Sequence, residues 1–352
     1  VKEDLAITPL CFDDILLVPR HSSVETREDI SIRTKFGNPN NPEAWITLDM
    51  PIMTAPMEFI NSNLMIEKII SHGGMAFIHR QQNEQKRLDQ FKALPEYIKK
   101  SDRVGFVLNL KETEDSIFVN KILSYGIKVL LVDTAFAHLQ KVVDSIKILR
   151  SQIPNNIHIM SGNVSSYEAY KNLMDAGADS VRVGIGAGAA CTTRVVTGFG
   201  VPVLGSVIDI YNNVQNDNIN GIVLDGGIRE TGDIVKSLAA GASAVMMGNM
   251  FAGYSECEKQ KNGQILFRGL ASESIKLSQI DHTLEDTDIH HIEGVSAYIA
   301  DKGPVRKQLL AISDSLKSAL SYCGSENIEI FKKECRFIKV SSESIKESKS
   351  RI

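Results

Sequence analysis

The sequence predicts an α/β chain folded as a (β/α)8 TIM barrel, and three observations predict it. Short apolar, often β-branched runs recur eight times: PIMTAP (51–56), MAFIH (75–79), VGFVLN (104–109), KVLLVD (128–133), IHIMSG (157–162), SVRVG (180–184), GIVLDG (221–226) and SAVMMG (243–248). Segments with helical periodicity separate them, the alternation expected of strand–helix units. Several runs end in polar residues or glycine, at Thr54 to Met57, His79, Asn109, Asp133, Ser161 to Asn163, Gly184, Asp225 and Gly248. In a barrel those ends gather at the C-terminal face, where such folds keep their sites. An open doubly wound sheet is the competing arrangement, but no GxGxxG follows an early strand.

The elements follow in order. Residues 1–50 read as a lead-in. NSNLMIEKIISHGG predicts a helix with Leu64, Ile66, Ile69 and Ile70 on one face. HLQKVVDSIKILRSQ and SYEAYKNLMDAGAD read the same way. ETGDIVKSLAAGA offers Thr231 as a helix cap and Gly241 as its stop. Residues 254–303 are polar, and DHTLEDTDIHH (281–291) has no apolar period, which suits either a mobile flap or a solvated loop. The tail SSESIKESKSRI (341–352) reads as frayed. The expected organisation is one catalytic barrel over 1–352, with a flap at 276–292 and no inserted regulatory domain.

Composition narrows the function. The chain has 352 residues, 43% hydrophobic and 23% charged, with a formal net charge of -4. That balance argues against a nucleic-acid partner. No apolar run approaches a membrane span, and VKEDLAITPL lacks the order of a signal peptide. Five scattered cysteines, Cys11, Cys191, Cys257, Cys323 and Cys335, form no CxxC pair. A reducing, cytoplasmic setting is expected.

The stretch GIGAGAACTTR (184–194) is the strongest chemical signal. Glycine and alanine runs cost conformational entropy and pack little, so such a loop suits the close approach of a ligand or ion. Placed after the sixth strand, it sets Cys191 over the barrel mouth. A lone cysteine is usually a small buried hydrophobe; the loop around it and Thr193 favour a nucleophile instead.

These residues resemble the inosine monophosphate dehydrogenase / guanosine monophosphate reductase family. The resemblance runs through CFDDILLVPR (11–20), PIMTAPME (51–58), GGMAFIHR (73–80), SGNV (161–164), VGIGAGAACTTRVVTGFG (183–200), LDGGIRETGDIVKSLAAGASAVMMGNMFAG (224–253), FRGLASES (267–274) and IEGVSAYIADKGPV (292–305). It implies a (β/α)8 barrel, usually a homotetramer, that acts on C2 of a purine mononucleotide. Cys191 matches the nucleophile that forms a covalent thioimidate. Asp225 matches the ribose-binding aspartate, and Gly227, Gly248 and Asn249 the phosphate cradle. Met57, Gly269 and Leu270 fall in matching motifs around the nucleotide, and Glu293 matches the residue that reads the purine edge. Asn163 and Asp133 match residues near the nucleotide and the nicotinamide, with Thr134 and Ala135 beside them. Gly186, Gly188 and the Cys191 carbonyl match a loop that holds a monovalent cation, potassium, in many members. As bare residues, the glycines could equally be turn formers and the strand-end polar groups helix caps.

Three departures stand out. Ala189 stands where a phosphate-binding serine is usual, Phe267 where a tyrosine is common, and DTAFAH (133–138) lacks the usual glycine.

The family has two branches. The dehydrogenase oxidises inosine monophosphate with NAD and uses a flap Arg-Tyr pair to activate water. The reductase deaminates guanosine monophosphate and reduces with NADPH, using a threonine two residues after the cysteine and a glutamate. Here GLASESIK (269–276) puts Glu273 at the glutamate's place, and Lys276 to Ile292 contains neither arginine nor tyrosine. The sequence therefore favours the reductase, with Cys191, Thr193 and Glu273 catalytic. Against it, RVVTGFG (194–200) reads like the dehydrogenase branch. A nucleotide-binding relative without catalysis is the third alternative, suggested by Ala189 and Phe267.

Overall fold

The computed structural model describes residues 10–214, 220–259, 265–268 and 296–347. Eight parallel strands form its centre: β1 (Ile52–Thr54), β2 (Ala76–Ile78), β3 (Val104–Leu108), β4 (Val129–Asp133), β5 (His158–Val164), β6 (Ser180–Val183), β7 (Ile222–Asp225) and β8 (Ala244–Met247). All eight apolar runs became strands. The sheet order is β1-β8-β7-β6-β5-β4-β3-β2. A parallel bridge between Met53 and Met75 joins the two ends. There the Met75 N–H donates to the Ile52 carbonyl and the Thr54 N–H to the Met75 carbonyl, each at 3.0 Å. The sheet is thus a barrel rather than an open doubly wound sheet.

Helices α1 (Asn63–Ser71), α2 (Glu84–Lys92), α3 (Ser116–Ser124), α4 (Gln140–Gln152), α5 (Tyr167–Asp175), α6 (Val203–Asn213), α7 (Thr231–Ala239) and α8 (Arg306–Tyr322) follow the strands in turn. The strands are buried along nearly their whole length, which is why they read as continuous apolar runs without alternation.

Two local expectations are corrected. Leu64 is 59% exposed, and Met65 takes its place beside Ile66, Ile69 and Ile70. Residues two apart lie on opposite sides of a helix, so Leu64 cannot share a face with Ile66. Thr231 is the first helical residue of α7, not its cap, which is Glu230. The Asp233 carboxylate reaches back to accept the N–H groups of Arg229 (2.9 Å) and Glu230 (3.3 Å).

The lead-in has structure of its own. Thr34–Phe36 and Ile46–Leu48 pair antiparallel and lie against the N-terminal ends of β5 and β6. Asn38 Nδ2 donates to the Ala178 carbonyl at 2.9 Å, and Asn41 Nδ2 to Asp179 Oδ1 at 2.8 Å. Ile15–Leu17 pairs antiparallel with Phe337–Lys339, so the two ends of the chain meet. Ser342–Glu347 forms a short helix where the sequence reads as frayed. Ile265–Arg268 pairs with Ser296–Ile299. The flap expected at 276–292 lies between these two strands, outside the described residues.

Candidate active site

The strand ends bring most of the expected site residues to one end of the barrel. Cys191 follows β6, half-buried, and its thiol donates to the Thr193 hydroxyl at 3.2 Å. A turn orients it, with the Cys191 N–H donating to the Gly188 carbonyl at 3.0 Å. That carbonyl, one of three expected for a cation, keeps a second lone pair. The loop folds back on Arg194, close enough that a Cβ on Gly186 would stand 2.7 Å from Arg194 Cγ. Arg194 Nη2 in turn holds the Val201 carbonyl at 2.8 Å.

The loop after β7 locks onto this one. Gly226 has φ +89°, and a Cβ there would lie 3.2 Å from the Gly188 nitrogen. Only glycine meets both the left-handed backbone and that approach. Gly227 faces Ala187 of the cysteine loop and Phe12 of the lead-in. After β8, Gly248 packs so tightly on Met57 that a Cβ would come within 2.8 Å of its sulfur. Asn249 is exposed at the start of a short turn, Asn249–Phe251. Met57 is fixed by Asn61, whose Nδ2 donates to the Ala55 and Met57 carbonyls at 2.7 and 2.8 Å and whose Oδ1 accepts from Thr54 at 2.6 Å.

The barrel interior holds an ionic chain. Arg182, in the middle of β6, sends Nη1 to Asp133 Oδ1 at 2.5 Å, and Nη2 and Nε to Asp225 Oδ2 at 2.7 and 3.1 Å. Arg80 Nε takes the other oxygen of Asp133 at 3.0 Å. Asn163 Nδ2 donates to Asp225 Oδ2 (2.7 Å) and to the Gly184 carbonyl (2.9 Å). Asn163 therefore ties the aspartate to the root of the cysteine loop, and its peptide bond to Gly162 is cis. Its Oδ1 is buried with no hydrogen-bond partner among the described residues.

Burial by itself would push the Asp133 carboxyl up, but Arg182 and then Arg80 hold it below the usual range. Burial opposes the charge on Arg182, while Asp225 and Asp133 keep its pKa above the ordinary value. Thr134 is pinned by its hydroxyl to the Gly162 carbonyl at 2.8 Å, and Ala135 is exposed beside it.

Glu273, Gly269, Leu270 and Glu293 lie outside the described residues. Phe267 is within a described strand, with its backbone opposite Ala297. Among the described residues no group of three His, Cys, Asp or Glu side chains could hold a metal ion, and no helix is long and apolar enough to cross a membrane.

A sequence model described as the IMP dehydrogenase / GMP reductase domain matches residues 9–351. The chain belongs to this family. An inosine-5'-monophosphate dehydrogenase of Borreliella burgdorferi is 29% identical over 399 residues, covering 96% of each chain. A GMP reductase of Leishmania major is 36% identical over 257 residues, covering 70% of this chain and 52% of that protein. An inosine-5'-monophosphate dehydrogenase of Chlorobaculum parvum is 37% identical over 261 residues, with the same 70% and 52% coverage. The chain thus spans about half the length of the latter two relatives. Members of this family are purine nucleotide oxidoreductases that use nicotinamide cofactors, and both activities occur among the relatives.

Sequence reasoning passed over Arg182 and Arg80. The signal for Arg182 was present as the one charge inside the apolar run SVRVG. A buried charge in a barrel strand needs a partner, and the fold supplies Asp133 and Asp225.

Proposed function

We propose that this chain is a GMP reductase, which converts GMP, NADPH and a proton to IMP, NADP+ and ammonia. The observation that carries the choice of branch is the segment 276–292, without arginine or tyrosine, joined to Glu273 and Thr193. The closeness of Cys191 Sγ to Thr193 Oγ1 supports the chemistry.

In this reading Cys191 Sγ bonds to purine C2, and the C–N bond to the amino group breaks. Covalent capture divides one difficult displacement into two easier ones. The leaving nitrogen departs as ammonia and needs a proton. Glu273, with the Thr193 hydroxyl, is the assigned donor. The Thr193 hydroxyl can also donate to the sulfur once it is a thiolate. A bound nicotinamide would supply the hydride that C2 gains, and Cys191 Sγ, as a good leaving thiolate, takes back the electron pair of the C–S bond. Asp225 holds the ribose hydroxyls. Gly227, Gly248 and Asn249 receive the phosphate on backbone and amide N–H groups. Asp133, Thr134 and Ala135 would border the nicotinamide. The orphan Oδ1 of Asn163 fits a carboxamide, being a buried acceptor in need of a donor.

A second reading, oxidation of IMP to XMP with NAD and water, is favoured by the Borreliella burgdorferi relative that matches 96% of each chain. One assay separates the two. With GMP and NADPH, reduced cofactor is consumed and ammonia released, while IMP with NAD gives nothing. Formation of reduced cofactor in the second mixture, with none consumed in the first, overturns the reductase reading. Glu273→Gln is expected to slow the reductase by about 10²- to 10⁴-fold.

A further inference from the structure

We propose that Arg182 is a positioning residue that fixes the ribose-facing oxygen of Asp225 and ties it to Asp133 on the cofactor side. The proposal rests on the reading of Asp225 as the ribose contact.

A carboxylate has two equivalent oxygens and turns about its last torsion. To hold a ribose diol it must present one oxygen in a fixed direction. Asp225 Oδ2 already receives three donors, Arg182 Nε, Arg182 Nη2 and Asn163 Nδ2, all within 3.1 Å. Oδ1 has no hydrogen bond among the described residues, so it is the oxygen left for a ligand. The direction of Oδ1 is therefore set by Arg182, which supplies two of the three donors, together with Asn163.

Arg182 is itself held from the opposite side by Asp133, which Arg80 anchors in turn. The strut crosses the barrel interior from the end of β4 to the end of β7. Three different nitrogens of one guanidinium make these contacts. Lysine offers a single nitrogen and cannot reproduce the fork. Asp133 has no direct contact with the ribose in this reading, yet it steadies the group that aims Asp225.

The test is equilibrium binding of GMP and IMP, each against its 2′-deoxy form, to the full chain without cofactor. Wild type is expected to prefer the ribonucleotides by about tenfold to hundredfold, the worth of a hydrogen bond to a charged group. Asp225→Asn should abolish that preference. Arg182→Lys should bring the ratio to within about threefold of unity while still binding the deoxynucleotides. Asp133→Asn should lower the ratio by a smaller factor. A purely structural role for Arg182 predicts something different: a lower melting temperature and equal weakening of both sugars, with the ratio unchanged. That result overturns the proposal. If Arg182→Lys does not fold, Asp133→Asn decides, and an unchanged ratio there overturns it. If wild type and Asp225→Asn both ignore the 2′-hydroxyl, the ribose reading of Asp225 fails and takes the proposal with it.

Discussion

The five cysteines differ in ways that a labelling experiment can read. Cys257 and Cys323 are buried, and burial together with Cys323 pushes the Cys335 thiol up to about 12. Cys11 is exposed, but partial burial of its thiol and then Asp14 raise its pKa. Cys191, in the loop after β6, is half-buried. At neutral pH a haloacetamide is expected to modify Cys191 first, Cys11 more slowly, and the other three only on unfolding. A purine mononucleotide should protect Cys191 and leave Cys11 unchanged. Labelling of Cys191 no faster than Cys257, or no protection by nucleotide, would count against a nucleophile at this position. The sequence made Cys191, Asp225 and Asn163 visible because they sit at strand ends or in a loop of unusual composition. Arg182 was harder to see. The importance of a charge inside a strand depends on which carboxylates the barrel brings opposite it, and those lie 49 and 43 residues away.

At the scale of single elements, the helix Ile328–Glu334 carries an anomaly. Lys332 is buried, and its ammonium has only the Ser243 hydroxyl, at 3.5 Å, as a hydrogen-bond partner among the described residues. Burial lowers its pKa from 10.5 to about 8, with Glu329 opposing weakly. A displaced pKa is a stability statement. Above pH 10.5 the lysine is neutral folded or unfolded and carries no penalty. As pH falls from 10.5 to 8 the unfolded chain takes up a proton that the folded chain refuses, and stability drops by about 3 kcal/mol. Lys332→Met is therefore expected to raise the melting temperature at pH 7, with the advantage shrinking toward pH 10.5. A variant less stable than wild type at pH 7 would contradict this account. Elements of this kind escape sequence reading more readily than the barrel strands do. The eight strands announce themselves as apolar runs because both faces are buried. Ile15–Leu17 and Phe337–Lys339 are three residues each, too short to show a period, and their pairing joins opposite ends of the chain.

The proposed chemistry lies at the C-terminal face of the barrel, and the lead-in hairpin packs at the other end. His158, the first residue of β5, is the keystone of that end. Its Nδ1 lies 2.8 Å from the Ala44 carbonyl and its Nε2 2.7 Å from the Ser180 hydroxyl. A carbonyl can only accept, so Nδ1 carries the proton and Nε2 accepts from Ser180. Phe36 of the lead-in hairpin packs edge-on against the ring at 5.6 Å. Burial lowers the pKa of His158 below 6.5, outweighing the attraction of Asp179. The sign of the linkage follows. Above 6.5 the imidazole is neutral in both states and its stabilisation is complete. As pH falls below 6.5 the unfolded chain binds a proton that the folded ring excludes, and stability declines until the folded pKa is reached. His158→Gln keeps polar groups at the site without a titrating ring, so its stability should change less than that of wild type between pH 7 and pH 5. Because His158 lies at the opposite end from Cys191, the variant's kcat per folded molecule should match wild type at pH 7.5. Chemical denaturation at several pH values, read beside turnover, checks both halves. Equal pH slopes in the two proteins would remove His158 as the titrating group. A kcat that fell with an unchanged melting temperature would show that the two ends of the barrel are not independent.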